Sequence, residues 1–245
     1  MFDVSSNNEI TEHDKSRKME ITEMTINDKN ANNIFREWVS PAAVTYLIHR
    51  MVETEGEYDS LLAKFNVFVL PMVNPDGYEY SRQHDRMWRK TRSRTGGRNL
   101  FGDVSDENNW LRIEIRYFFI SLLKECKGVD LNRNFGYHWG GYGASDNPCK
   151  ETFRGSSAFS EPESRAIRDF LLSRENNFVL YLTFHSYGQY ILYPWGYDKL
   201  DTKDWRELQR VGDVTRSALR RLNHGVTYQV GSAAKMLYPA SGMNQ

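Results

Sequence analysis

Glu37 sits in "NNIFREWVSP", an apolar and aromatic stretch that runs into Arg36-Glu37-Trp38 and then a helix start. A carboxylate there reads either as a structural group or as one ligand of a metal site. A metal would want a second donor close by, yet Ile34 stands three residues earlier. His185 follows the apolar run Phe178 to Phe184. That places it at the carboxyl end of a buried strand, where open α/β sheets bind ligands; a lone histidine there also fits a structural role. "DLNRNFG" sets Arg133 between Asn132 and Asn134. Arginine meets a carboxylate with two parallel hydrogen bonds, and asparagine amides add donors. The stretch is therefore suited to gripping a terminal carboxylate. "RMWRKTRSRTGGR" carries Arg86, Arg89, Lys90, Arg92, Arg94 and Arg98. It reads as a solvated loop, and more weakly as a nucleic-acid patch. The chain has no HExxH, CxxC, GxSxG elbow or phosphate loop, so the short signatures of those chemistries are missing.

The elements that must position these residues follow from apolar spacing. The chain has 245 residues, 40% hydrophobic and 26% charged, which suits an ordinary globular chain of one large domain or two small ones. Lys+Arg and Asp+Glu both number 32, so the balance argues against coating nucleic acid or a membrane surface. No apolar run reaches 18 residues, and Met1 to Met19 has no signal-peptide core. Residues 1 to 33 are polar and charged and read as a disordered arm or a poor edge element. Ser40 as N-cap and Pro41 at the first helical position open a helix, with Ala43, Val44, Leu47, Ile48, Met51 and Val52 at helical spacing and Gly56 closing it. "FNVFVLPM", residues 65 to 72, reads as a strand buried on both faces, and Asn74-Pro75-Asp76-Gly77 as a turn. Ser160 and Glu163 are spaced as a capping box at the start of a second helix. Phe178 to Phe184 is a second buried strand. A third helix spans about Asp204 to Leu222, with Leu208, Val211, Val214 and Leu219 on one face. Buried strands alternating with amphipathic helices predict an α/β fold with a mixed, mostly parallel sheet flanked by helices.

Seven stretches share one order. "REWVSPA", "VLPMVNPDGYEYS", "DRMWRKTRS", "GVDLNRNFGYHWGG", "PCKETFRGSSAFSEPES", "FHSYGQYILYPWGY" and "GSAAKMLYPASG" run in the order found in zinc carboxypeptidases of the pancreatic A/B type. The resemblance covers most of residues 36 to 242, apart from about 104 to 125. It implies a single α/β domain around a mixed eight-stranded sheet, removal of C-terminal residues from peptides and proteins, and one zinc ion held by His, Glu and His. By position, Glu37 and His185 match metal ligands. Arg89 matches the arginine that stabilises the developing oxyanion, a place where a fixed cation is a large catalytic contribution. Asn132 and Arg133 match the pair that binds the substrate carboxylate, and Tyr238 the tyrosine that closes over it. Arg36, Arg86 and Tyr187 match outer subsites. Cys126 and Cys149 match a disulfide of the secreted members. The resemblance further implies a monomer in an extracellular setting, with no nucleic-acid or membrane partner.

The departures set further expectations. The family's first ligand histidine belongs where Ile34 stands, and His13, His49, His84, His138 and His224 lie at other spacings. A catalytic zinc site takes three protein ligands plus water. The family's general-base glutamate belongs downstream of "YPASG", past Gln245. Residues 34 to 245 are thus expected to form a partial catalytic domain, with 104 to 125 as an insertion and an atypical arm before it. The expected activity is impaired. The alternatives are an inactive relative that still binds peptide C-termini, and a non-functional or mispredicted product.

Overall fold

A computed structural model of the chain describes residues 37–94, 126–173, 178–222 and 226–244, together with the backbone of three short strands before them. Ile34, Arg36 and the expected insertion 104–125 lie outside the described residues. Eight strands are found among the described residues. They are β1 (Phe2–Val4), β2 (Met19–Glu20), β3 (Glu23–Thr25), β4 (Val67–Val69), β5 (Leu180–Tyr181), β6 (Phe184–His185), β7 (Tyr190–Tyr193) and β8 (Gln229–Ser232). The described helices are α1 (Val39–Glu53), α2 (Asp59–Leu62), α3 (Pro75–Gln83), α4 (Pro162–Ser173), α5 (Trp205–Leu222) and α6 (Ala233–Met236), with a 3-10 turn at Leu131–Arg133.

The pairing is mixed and mostly parallel, as expected. β2 with β5, β3 with β6 and β7 with β8 are parallel. β1 with β4 and β3 with β7 are antiparallel. The largest sheet runs β6-β3-β7-β8. Residues 1 to 33 were expected to be a disordered arm or a poor edge; of their described backbone, β3 is the strand that bears on the sheet. It lies inside the sheet, with Met24 opposite both Phe184 and Ile191. Two neighbours satisfy both sides of its backbone, which outweighs its polar composition.

Several local expectations are corrected by the capping chemistry and by burial. The first helix begins at Val39, with Trp38 as a cap that makes no side-chain bond. Ser40 is buried inside the first turn, and Pro41 follows it there, where a missing N–H costs nothing. Asn74-Pro75 opens α3 rather than a turn. The Asn74 side chain accepts from Gly77 N at 3.0 Å, and Pro75 takes the first helical position. Ser160 forms no capping box, because its hydroxyl faces Asn134 and Glu161 instead. The Glu163 carboxyl is partly buried, and that burial raises its pKa. The run Phe178 to Phe184 splits into β5 and β6, and Phe65 to Met72 contracts to β4. Val214 of α5 is 58% exposed, while Leu208 and Gly212 are buried. A Cβ on Gly212 would lie 2.3 Å from Val230 Cγ1, so the glycine lets α5 approach β8 closely.

Two buried clusters stand out among the described residues. Ile191 and Tyr228 pack with Val211, Leu219, Val226 and Val230 between α5 and the β7–β8 pair. The other core is polar and centred on Asn134, which is fully buried. Asn134 Nδ2 donates to Arg154 O (2.8 Å), Ser157 O (3.1 Å) and Ser160 Oγ (2.9 Å). Its Oδ1 accepts from Glu161 N (3.2 Å) and Ser164 Oγ (2.7 Å). Thr91 Oγ1 donates to Glu161 Oε2 at 2.8 Å and accepts from Val129 N at 2.9 Å. Asn134→Ala would strand several buried polar groups at once. Each stranded group costs about 1–3 kcal/mol, so the variant is expected to lose about 3 kcal/mol or more of unfolding free energy. Denaturant unfolding of the variant and the unaltered chain measures it.

Candidate active site

Glu37 is placed by backbone strain. It has φ 36°, in the left-handed region, immediately before α1. An L-residue there costs on the order of 1 kcal/mol, and the surrounding structure holds it. Its carbonyl accepts from Ser40 N at 3.1 Å, which closes the first turn. The side chain is thereby turned toward β6. Glu37 Oε2 lies 2.9 Å from His185 Nδ1, and Oε1 lies 3.4 Å from an outer nitrogen of Arg89. Three residues far apart in sequence thus meet at one point.

Arg89 continues inward. Its Nε donates to Asp130 Oδ2 at 2.9 Å. The Asp130 carboxylate raises the guanidinium pKa above its ordinary value, more than burial lowers it, and Glu37 adds to the rise. Asp130 precedes the 3-10 turn that carries Asn132 and Arg133, and its Oδ1 accepts from Asn132 N at 3.2 Å. Arg133 is 2% exposed. Its Nε donates to Gly143 O at 3.0 Å, Nη1 to Asn132 O at 2.6 Å, and Nη2 to the Tyr238 hydroxyl at 3.4 Å. Gly242, with φ of 70° and no Cβ, presses against Arg133 O. The Asn132 carbonyl oxygen of the side chain accepts from Asn244 N at 3.1 Å.

The structure brings Glu37, His185 and Arg89 together, and sets Asn132, Arg133 and Tyr238 together on the far side of Asp130. Arg86 stacks on the Trp38 ring, 3.7 Å from its centroid, and its burial lowers its pKa. Tyr187 is 59% exposed just past His185. Arg36 lies outside the described residues. Cys126 and Cys149 form a disulfide, as the resemblance implied, with Cα atoms 4.9 Å apart. Lys90 Nζ donates to Pro148 O at 2.7 Å, which ties the segment after Arg89 to the disulfide loop. Glu37, Trp38, Arg89, Asp130, Asn132 and His185 all line one cavity of about 1050 Å³.

Residue 30 to 245 match the family model described as "Zinc carboxypeptidase". The chain belongs to the zinc carboxypeptidase family. Carboxypeptidase B of Astacus astacus is 39% identical over 207 residues, covering 84% of this chain and 60% of the relative. Carboxypeptidase B of Bos taurus is 40% identical over 210 residues, covering 84% of this chain and 44% of the relative. The solved carboxypeptidase A of Helicoverpa armigera aligns with TM-score 0.71 and 34% identity, over 94% of this chain and 49% of that one. The chain spans about half the length of the curated relatives it matches.

The family implies zinc, and the residues here can be tested against it. Glu37 Oε2 and His185 Nδ1 converge, but they face each other at hydrogen-bond distance. Among the described residues no group of three or more His, Cys, Asp or Glu could hold a metal ion. Position 34, where the resemblance puts the remaining ligand, holds isoleucine, which has no donor atom. Two donors do not make the three-ligand set of a catalytic zinc. Ile34→His is therefore expected to raise zinc affinity by about tenfold or more. Competition with a chromogenic chelator reads the change, and equal affinity of the two proteins would refute the account.

Sequence reasoning missed Asp130, Asn134 and Thr91 as supports of the site. One signal was available for Asp130: an aspartate two residues before Asn132 is placed to bond that backbone N–H. The partners that Asn134 and Thr91 share in this network lie 20 to 70 positions away and leave no local signal.

Proposed function

We propose that this chain recognises the free C-terminus of a peptide or protein in a carboxypeptidase-type cleft, and that its hydrolytic capacity is far below that of its family. The supporting observation is the state of Arg133. A guanidinium has five N–H groups. One on each nitrogen is engaged, by Gly143 O, Asn132 O and the Tyr238 hydroxyl. The remaining two belong to the outer pair of nitrogens, the pair that meets a carboxylate bidentately. Arg133 is buried, and among the described residues no acidic side chain pairs with it. A buried charge without a counter-ion is costly, and a terminal carboxylate would supply one. Asn132 adds its side-chain amide N–H groups beside it.

In this reading Asn132 and Arg133 take the carboxylate, and Tyr238 covers it. Arg89 faces the carbonyl that precedes the last residue, with Glu37 and His185 beyond it. Arg36, Arg86 and Tyr187 meet residues further up the peptide. Ile34 leaves the metal position short of a ligand, so binding is retained where hydrolysis is lost. The disulfide favours an oxidising, extracellular setting. No described helix is long and apolar enough to cross a membrane.

Calorimetry with an N-acylated dipeptide and its C-terminally amidated twin tests the reading. The acid is expected to bind about tenfold more tightly or better, since a charge-assisted bidentate contact contributes about 1.5–3 kcal/mol. Arg133→Gln is expected to remove the difference. Equal binding of acid and amide by the unaltered chain would sink the proposal. Release of C-terminal residues in the presence of zinc, at rates matching an intact relative, would overturn the claim of lost hydrolysis.

A further inference from the structure

Asp130 has every polar atom committed, and each bond goes to a different part of the site. Its N–H donates to Phe153 O at 2.8 Å, which fixes the backbone to the neighbouring segment. Its carbonyl accepts from Arg133 N at 3.0 Å. Oδ1 accepts from Asn132 N at 3.2 Å, and Oδ2 accepts from Arg89 Nε at 2.9 Å. The residue is 2% exposed, so these bonds do not exchange with water. Among the described residues the other side-chain anchor of Arg89 is Glu37, at the longer 3.4 Å.

We infer that Asp130 is a positioning residue that sets the spacing between the Arg89 guanidinium and the Asn132–Arg133 clamp, and so makes the cleft selective for peptides ending in an α-amino acid. The inference rests on the proposed reading of the cleft. One carboxylate holds both stations: one oxygen orients the guanidinium that faces the carbonyl, the other shapes the turn that takes the carboxylate. In a peptide ending in an α-amino acid, one tetrahedral carbon and one amide nitrogen separate the penultimate carbonyl from the terminal carboxylate. A β-amino acid adds one methylene to that span. With both stations fixed, the longer ligand satisfies one and misses the other. Asp130→Asn keeps the size but presents an NH₂ group to one of two N–H donors, Arg89 Nε or Asn132 N. One station is then released.

The test compares N-acetyl-glycyl-phenylalanine with N-acetyl-glycyl-β-homophenylalanine, and with the amide of the first, by calorimetry. The unaltered chain is expected to prefer the α-ended over the β-ended acid by about tenfold, the cost of one unmade polar contact. Asp130→Asn is expected to bring that ratio within about threefold while the acid still outbinds the amide. A general structural loss would weaken all ligands together and leave the ratio alone. Arg89→Lys, which keeps the charge and removes the Nε–H, is expected to lower the ratio in the same way and serves if Asp130→Asn does not fold. Absence of an α-over-β preference in the unaltered chain, or its persistence in a folded variant, overturns the inference. Equal binding of acid and amide by the unaltered chain overturns the functional reading and takes this inference with it.

Discussion

Everything in the cleft hangs from the carboxamide of Asn134. Five hydrogen bonds converge on one buried side chain, and Thr91 joins the same network through Glu161. Asn134 follows Arg133 directly, and Thr91 lies two residues after Arg89. The two arginines of the cleft therefore sit on segments welded by one polar junction. Buried networks of this kind are stabilising only when every member is paired, and then they define one geometry. Four chain segments meet there: the extended segment after Arg89, the turn at Leu131–Arg133, the loop before α4, and the first turn of α4.

The apolar core does a different job. It secures α5 on β7 and β8 and leaves the cleft to the polar junction. The disulfide reinforces the polar side, since its loop accepts from Lys90, next to Arg89. A cross-link closing a span of 23 residues limits the unfolded chain mainly through lost loop entropy. Polar contacts, backbone geometry and one covalent bond thus converge on the few residues around Arg89 and Asp130.

The fold class was legible because apolar runs and helical spacing report burial directly. Phe178 to Phe184 marked the strand region before His185, and the face of α5 was right at Leu208, Val211 and Leu219. The errors have physical causes. Asn74-Pro75 is good turn chemistry and equally good helix-start chemistry, and only the bond to Gly77 N decides between them. Val214 is out in water because Gly212 draws the helix onto β8 along another line. β3 is internal through backbone pairing, to which side-chain composition is blind. Glu37, Arg89, Asn132, Arg133, His185 and Tyr238 were singled out as candidates through ordered motifs. Their supports were not: the bond from Arg89 to Asp130 and the partners of the Asn134 side chain join residues that the linear order keeps apart.

The left-handed backbone at Glu37 carries its own consequence. A glycine at that position would relax the main chain and firm up the entry to α1. It would also delete the carboxylate that meets His185 and Arg89. Local folding preference and cleft chemistry pull in opposite directions at this residue. The junction before α1 is a point where the molecule is less stable than its own backbone would allow, and the carboxylate is what it keeps in exchange.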